Sequence, residues 1–264
     1  MEGSSKKKYH RGRRKKKKGG VFSTIILIIA LIVFVFSAFQ LYKIYSGYSK
    51  GEKEYEGLEK IAITTDTDDE GGEERYRVDF DALREINPDV VAWIRFEEPA
   101  IINYPVVQGK DNEEYLYKTF KGYDNTMGTI FVDAYNNPDF RDKNTIIYGH
   151  YMYNGTMFNE LEQYHKEEFW KQHPYFYIYT PDGAEIKYQI YAAGIVKDTA
   201  ENYTCQFADD AAFESFVHAT KTSGYYETGV EVGTDAQIVT LSTCTGANND
   251  ERTVIHGVKV GVKE

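Results

Sequence analysis

The chain predicts a mostly β fold with a few helices on its outside. Three observations carry this: strand-like runs rich in Val, Ile, Thr, Tyr and Phe outnumber helical patterns, most of these runs are neighbours in sequence, and turn chemistry separates them. The clearest turn is Thr180-Pro-Asp-Gly183, where proline presets one backbone angle and glycine admits the left-handed one, so Tyr175–Tyr179 and Glu185–Val196 should form a hairpin.

In order, the first 20 residues are a basic head carrying ten Lys or Arg against one acid, Glu2. Residues 21–41 follow as 21 uncharged residues rich in Ile, Leu, Val and Phe, long enough to cross a bilayer as a helix at about 1.5 Å per residue. A signal peptide competes with this reading, but its apolar core would be shorter and a small-residue cleavage site should follow. Positive charge before the span keeps the N-terminus cytoplasmic and sends Tyr42 onward outside. Residues 42–77 are charged and hold the acidic patch Asp66–Glu74. With few apolar groups to offset ordering entropy, they read as an extracellular spacer, part of Glu52–Ile63 being a possible stalk helix.

The folded domain is expected over residues 78–264. Asp79–Ile86 has apolar positions at 80, 83 and 86 behind a capping aspartate, and Asn87-Pro88 ends that helix. Strands are predicted at Val90–Phe96, Ala100–Val107, Gly128–Val132 and Thr145–His150, then the hairpin, then Ile238–Cys244 and a last strand opening on Arg252. Helices are predicted near Asn112–Lys118, Thr156–Tyr164, Glu167–Gln172 and Asp209–Thr220.

Beyond residue 20 the chain carries 21 basic and 40 acidic residues, which argues against nucleic acid as a partner, since phosphate binding needs a basic face. The two cysteines, Cys205 and Cys244, are too few for a disulfide scaffold and have no zinc-like spacing; neither a metal cluster nor a cofactor motif is visible.

Chemistry concentrates in Ile238-Val-Thr-Leu-Ser-Thr-Cys244 and the following Arg252. A thiol at one strand's end beside a guanidinium at the next strand's start suits a cysteine nucleophile, because a cation stabilises negative charge on sulfur or on a substrate oxygen. Three alternatives stay open here: Cys244 as a buried small hydrophobe, a Cys205–Cys244 disulfide, and Arg252 in a surface salt bridge with Asp250 or Glu251. Of six histidines, His150 ends an apolar run before a polar loop, where a rigid element displays catalytic groups. His256 shares a strand face with Arg252 and is the second candidate. It would be the base if the chain were an extracellular peptidase or amidase; a non-catalytic tethered binding module is a third possibility.

The runs TLSTC at Thr240–Cys244 and NTIIYGH ending at His150, with Arg252 and one N-terminal anchor, resemble the sortases, cysteine transpeptidases of Gram-positive surfaces. The stretches DFDALREINPDVVAWI, INYPVVQGKDNEEYL and GTIFVDAYNNPDF are similar to class B, clostridial type. The resemblance implies a β-barrel of about eight strands with peripheral helices. It implies Cys244 as nucleophile, His150 as general acid and base, and Arg252 as the oxyanion or substrate-positioning group. It further implies a sorting signal resembling LPXTG or NPQTN as substrate, an amine of peptidoglycan or of a pilin as acceptor, and work at the cell membrane without a cofactor.

Overall fold

A computed structural model describes residues 20–67, 74–97, 102–246 and 250–263 of the chain. The chain divides into two compact units, residues 1–46 and 47–264.

The first long element, α1 (Gly20–Ala62), runs for 43 residues and contributes to both units. In the first unit its apolar residues, Ile25 to Phe39 among them, are exposed. In the second unit the same helix buries Gly51, Tyr55, Leu58 and Ala62. Tyr55, Leu58 and Ala62 are spaced i, i+3, i+7, which puts them on one helix face.

Residues 47–67 are part of the folded unit, and β1 (Ile63–Thr67) and β2 (Glu74–Val78) pair as an antiparallel hairpin where a spacer was expected. The remainder of the acidic patch, residues 68–73, lies outside the described residues. The stripe was illegible because three apolar residues among many charges supply little periodic signal, although each is almost fully buried.

α2 (Phe80–Ile86) is short and capped, with the Asp79 carboxylate accepting from Ala82 N at 2.9 Å. Eight strands then close a barrel: β3 (Val90–Arg95), β4 (Asn103–Val107), β5 (Ile130–Val132), β6 (Asn144–Tyr148), β7 (Tyr175–Tyr179), β8 (Glu185–Lys197), β9 (Ile238–Cys244) and β10 (Glu251–Lys263). Their order round the barrel is β10-β8-β7-β3-β4-β5-β6-β9. Closure leaves no edge strand in the barrel. Val106, Ile147, Leu241, Ile255 and Phe176 belong to the buried core, with the fully buried Trp93. A second, smaller cluster covers the outside of β8, β9 and β10 with Phe213, Phe216 and Val217 of α4 (Asp210–Thr222).

Most barrel pairs are antiparallel, but β4·β5 and β6·β9 are parallel. A parallel pair needs a crossover connection. The first crossover, residues 108–129, is held by side chains. Its Asn112–Lys118 stretch, expected as a helix, is a series of turns: Asp111 Oδ1 accepts from the amides of Glu113 and Glu114, and Asn112 is drawn to Asp133 and Ala134. The second crossover carries the hairpin β7–β8, α3 (Glu167–Gln172), two 3₁₀ helices at Asn159–His165 and Glu201–Tyr203, and α4.

Candidate active site

Parallel pairing decides the geometry of the site. Because β6 and β9 run in the same direction, with Tyr148 opposite Ser242, their C-terminal ends meet at one end of the barrel. The Gly149 amide continues the ladder to Ser242 O at 3.1 Å, and His150 is the next residue. β10 is antiparallel to β9, so its beginning falls at the same end, with Arg252 directly opposite Cys244. Cys244 therefore lies on the middle one of three adjacent strands, with His150 beyond the end of one neighbour and Arg252 at the start of the other.

Side-chain alternation sorts the faces. Val239 and Leu241 of β9 point into the core, whereas Ser242 and Thr240 meet groups outside the barrel, Tyr203 and His256. By the same period Cys244 and Arg252 are on the outer face, and Cys244 is an exposed free thiol. Gly149 permits the approach to this end: a Cβ there would come within 2.6 Å of the Phe158 ring. Its lack of a side chain lets Phe158 pack fully buried beneath the histidine's strand.

His150 is oriented by the first crossover. Its Nε2 lies 2.6 Å from Leu116 O. A carbonyl only accepts, so Nε2 carries the proton and Nδ1 is the nitrogen able to exchange one. The ring of Tyr117 lies 5.7 Å away at 32°. Burial holds the His150 pKa below its usual value, opposed by the Leu116 hydrogen bond, so the imidazole is neutral at pH 7 and able to accept a thiol proton.

Arg252 is about a quarter exposed and is held from two sides, with one guanidinium nitrogen donating to Glu251 O at 2.9 Å and another 3.4 Å from Asp198 Oδ2. Asp250, one of the salt-bridge partners expected for it, instead meets Lys197 at 2.5 Å. Cys205 is also free, so the two cysteines form no disulfide, and burial pushes its thiol up, away from the reactive thiolate.

His256, the second histidine candidate, is buried under α4 and opposes Thr240, four residues along β9 from Cys244, or about 13 Å. Its Nδ1 is 2.9 Å from Thr240 Oγ1, which itself donates to Asn144 Oδ1, and its Nε2 is 3.1 Å from the Asn202 amide nitrogen. That set of partners requires a neutral ring with the proton on Nδ1, and burial pulls its pKa down to about 3. A base for Cys244 cannot be drawn from it, which removes the peptidase pairing of Cys244 with His256.

Sequence reasoning missed Tyr203. It stands in the 3₁₀ turn Glu201–Tyr203 with its hydroxyl 2.8 Å from Ser242 Oγ, and both Arg252 and Cys244 act on its phenol, whose pKa burial raises. Only the folding of the long crossover onto β9 brings it there. Tyr151 and Tyr153 line the same end: Tyr151 bonds Glu162 Oε2 at 2.8 Å, and Tyr153 reaches Gly246 O at 3.4 Å. A cavity of about 1040 Å³ bordered by Arg95, Tyr179, Glu185 and Lys263 lies at the opposite ends of β8 and β10, far from the thiol. Among the described residues no group of His, Cys, Asp and Glu is arranged to hold a metal ion.

An exposed thiol between a histidine and an arginine on a β-barrel is a setting for covalent acyl transfer. Comparison with known proteins agrees with that chemistry. Residues 97–260 match the sortase domain family. Sortase B of Staphylococcus aureus (strain NCTC 8325 / PS 47) is 32% identical over 231 residues, 87% of this chain and 92% of that one. Sortase B of B. anthracis in complex with AAEK1 superposes with a TM-score of 0.71 at 32% identity, over 82% of this chain and 99% of that one. The Staphylococcus aureus sortase B-substrate complex does so with a TM-score of 0.64 at 31% identity, over 69% and 84%. Barrel, thiol and kinship converge, and the chain belongs to the sortase family as a class B member, a transpeptidase of the cysteine type.

Proposed function

We propose that this sortase is anchored in the cell membrane by residues 21–41 and cleaves a C-terminal sorting signal of the LPXTG or NPQTN kind after its threonine. It then transfers the acyl group to an amine of peptidoglycan or of a pilin. The observation that carries the reading is the common end of β6, β9 and β10, where Arg252 on β10 pairs with Cys244 on β9 and His150 follows the end of the neighbouring β6. The solved complex of a sortase B relative with a substrate supports it.

In the first half-reaction His150 Nδ1 takes the proton from Cys244 Sγ. The thiolate attacks the threonine carbonyl, and the C–N bond breaks as the imidazolium returns its proton to the departing amine. A thioester remains on Cys244. In the second half-reaction the acceptor amine loses a proton to Nδ1 as it attacks, and the thiolate leaves. Arg252 stands opposite the sulfur and stabilises the carbonyl oxygen as it gains charge, a contribution of about 3 kcal/mol. Asp198 and the Glu251 carbonyl hold that guanidinium in place. The apolar helix supplies the location, with the basic head on the cytoplasmic side.

The decisive experiment is incubation of the full chain in detergent with a small set of sorting peptides, followed by mass spectrometry for an acyl adduct. The wild type acquires the mass on Cys244, Cys244→Ala acquires none, and His150→Ala loses at least about a hundredfold in rate. Full turnover by Cys244→Ala would sink the proposal.

A further inference from the structure

We infer that Tyr55, on the helix leading into the barrel unit, is a positioning residue for His150, acting through the backbone of the first crossover. The inference rests on His150 being the acid and base proposed above.

The chain of contacts is short. His150 Nε2 is fixed by Leu116 O at 2.6 Å, so the tautomer that leaves Nδ1 available depends on where that one carbonyl points. Leu116 O is in turn packed against Gly128, where a Cβ would meet it at 2.4 Å, and Gly128 adopts φ +58. The neighbouring Thr129 amide donates to Tyr115 O at 3.0 Å, tying the far side of the Tyr115–Leu116 segment. Gly128 and Thr129 therefore form the bed on which the Leu116 carbonyl rests. Tyr55 holds that bed from below: its hydroxyl donates to Gly128 O at 2.5 Å and lies 3.1 Å from Thr129 Oγ1.

The phenol is built in, not incidental. Tyr55 is 5% exposed, packs edge-on against Tyr104 at 5.4 Å, and burial drives its pKa far above the usual value, so it remains a donor. The same helix grips the crossover at two further points, through Asn125 Nδ2 to Gly47 O at 2.9 Å and the Lys121 amide to Glu54 Oε1 at 2.9 Å. Losing the hydroxyl leaves a buried carbonyl without its donor, and the crossover must shift to rehydrate it. A shift of a fraction of an ångström at Leu116 releases Nε2.

The test is Tyr55→Phe in the full chain, assayed for peptide transfer and by nitrogen-15 NMR of histidine-labelled protein in detergent. The expected result is a kcat about tenfold lower with KM little changed, together with conversion of His150 from a single Nε2–H tautomer to a mixture. Glu59→Gln, one turn further along the docked helix and bonded not to the crossover but to Asn103 at 2.8 Å, serves as the control that leaves both readouts as in the wild type. If Tyr55→Phe does not fold, Thr129→Val, which removes the phenol's second partner together with the threonine's own bond to Lys118 O at 2.8 Å, loosens the same bed and carries the same readouts. A wild-type tautomer and kcat in a folded variant, or a lower kcat with the tautomer intact, overturns the inference. Retained turnover in His150→Ala overturns instead the acid–base reading beneath it.

Discussion

At the scale of single residues, the two candidate histidines show how position decides chemistry. His150 has one nitrogen fixed and the other at the exposed end of the barrel, whereas both nitrogens of His256 are occupied by neutral partners in the interior. His256 should therefore contribute to stability, not to turnover. Its folded pKa of about 3 lies below the unfolded value of about 6.5, so between those limits the unfolded chain binds the extra proton. The contribution is complete above pH 6.5 and is lost as pH falls toward 3, with a slope of up to about 1.4 kcal/mol per pH unit. Urea unfolding at pH 7.5, 6 and 4.5 checks this: the wild type should lose stability more steeply than a folded His256→Asn variant, and equal slopes would assign the acid sensitivity elsewhere. In the transfer assay His256→Asn should keep its kcat in the folded fraction, while His150→Ala should not.

At the scale of elements, the strut formed by the second half of α1 does what the sequence suggested a linker would do, and more. It connects, but it also buries Tyr55, Leu58 and Ala62 and sends Glu59 to Asn103, whose side-chain oxygen receives both Trp93 Nε1 at 2.6 Å and Tyr76 OH at 2.7 Å. Leu58 is completely enclosed, so Leu58→Ala should cost about 2–5 kcal/mol through lost burial and the cavity left behind. Ile61, on the same helix but 49% exposed, should tolerate alanine within about 0.5 kcal/mol. Chemical denaturation of the two variants compares them directly; equal and small effects would show that the helix does not belong to the cooperative unit.

At the scale of the whole molecule, two sections with opposite relations to water are joined in one chain. The residues from Val21 onward in α1 form a helix whose most apolar 18-residue window has mean hydropathy 2.9 and no burial, while the barrel buries its apolar groups around Trp93 and carries an acidic surface. Water disfavours such an exposed helix by roughly 25 cal/mol per Å² of apolar surface, which a bilayer removes. The full chain should therefore pellet with membranes, resist carbonate and high salt, and dissolve in detergent. Release by carbonate alone would contradict a spanning helix.

Local pattern was enough for the secondary elements that make the barrel. β7 and β9 have the expected limits, the hairpin turns at Pro181-Asp-Gly183, and Asp79 and Asp209 cap their helices through Ala82 and Ala212, because alternation, turn chemistry and capping act over a few residues. Cys244 and His150 were visible as candidates for the same reason, each ending an apolar run. Long-range pairing decided the rest. Only the parallel register of β6 with β9 brings those two strand ends together, only the packing of α4 buries His256, and only the return of the first crossover carries Leu116 to His150 and Gly128 to Tyr55. Contacts of that kind join residues 34 to 96 positions apart, a separation over which no local periodicity in the sequence reports.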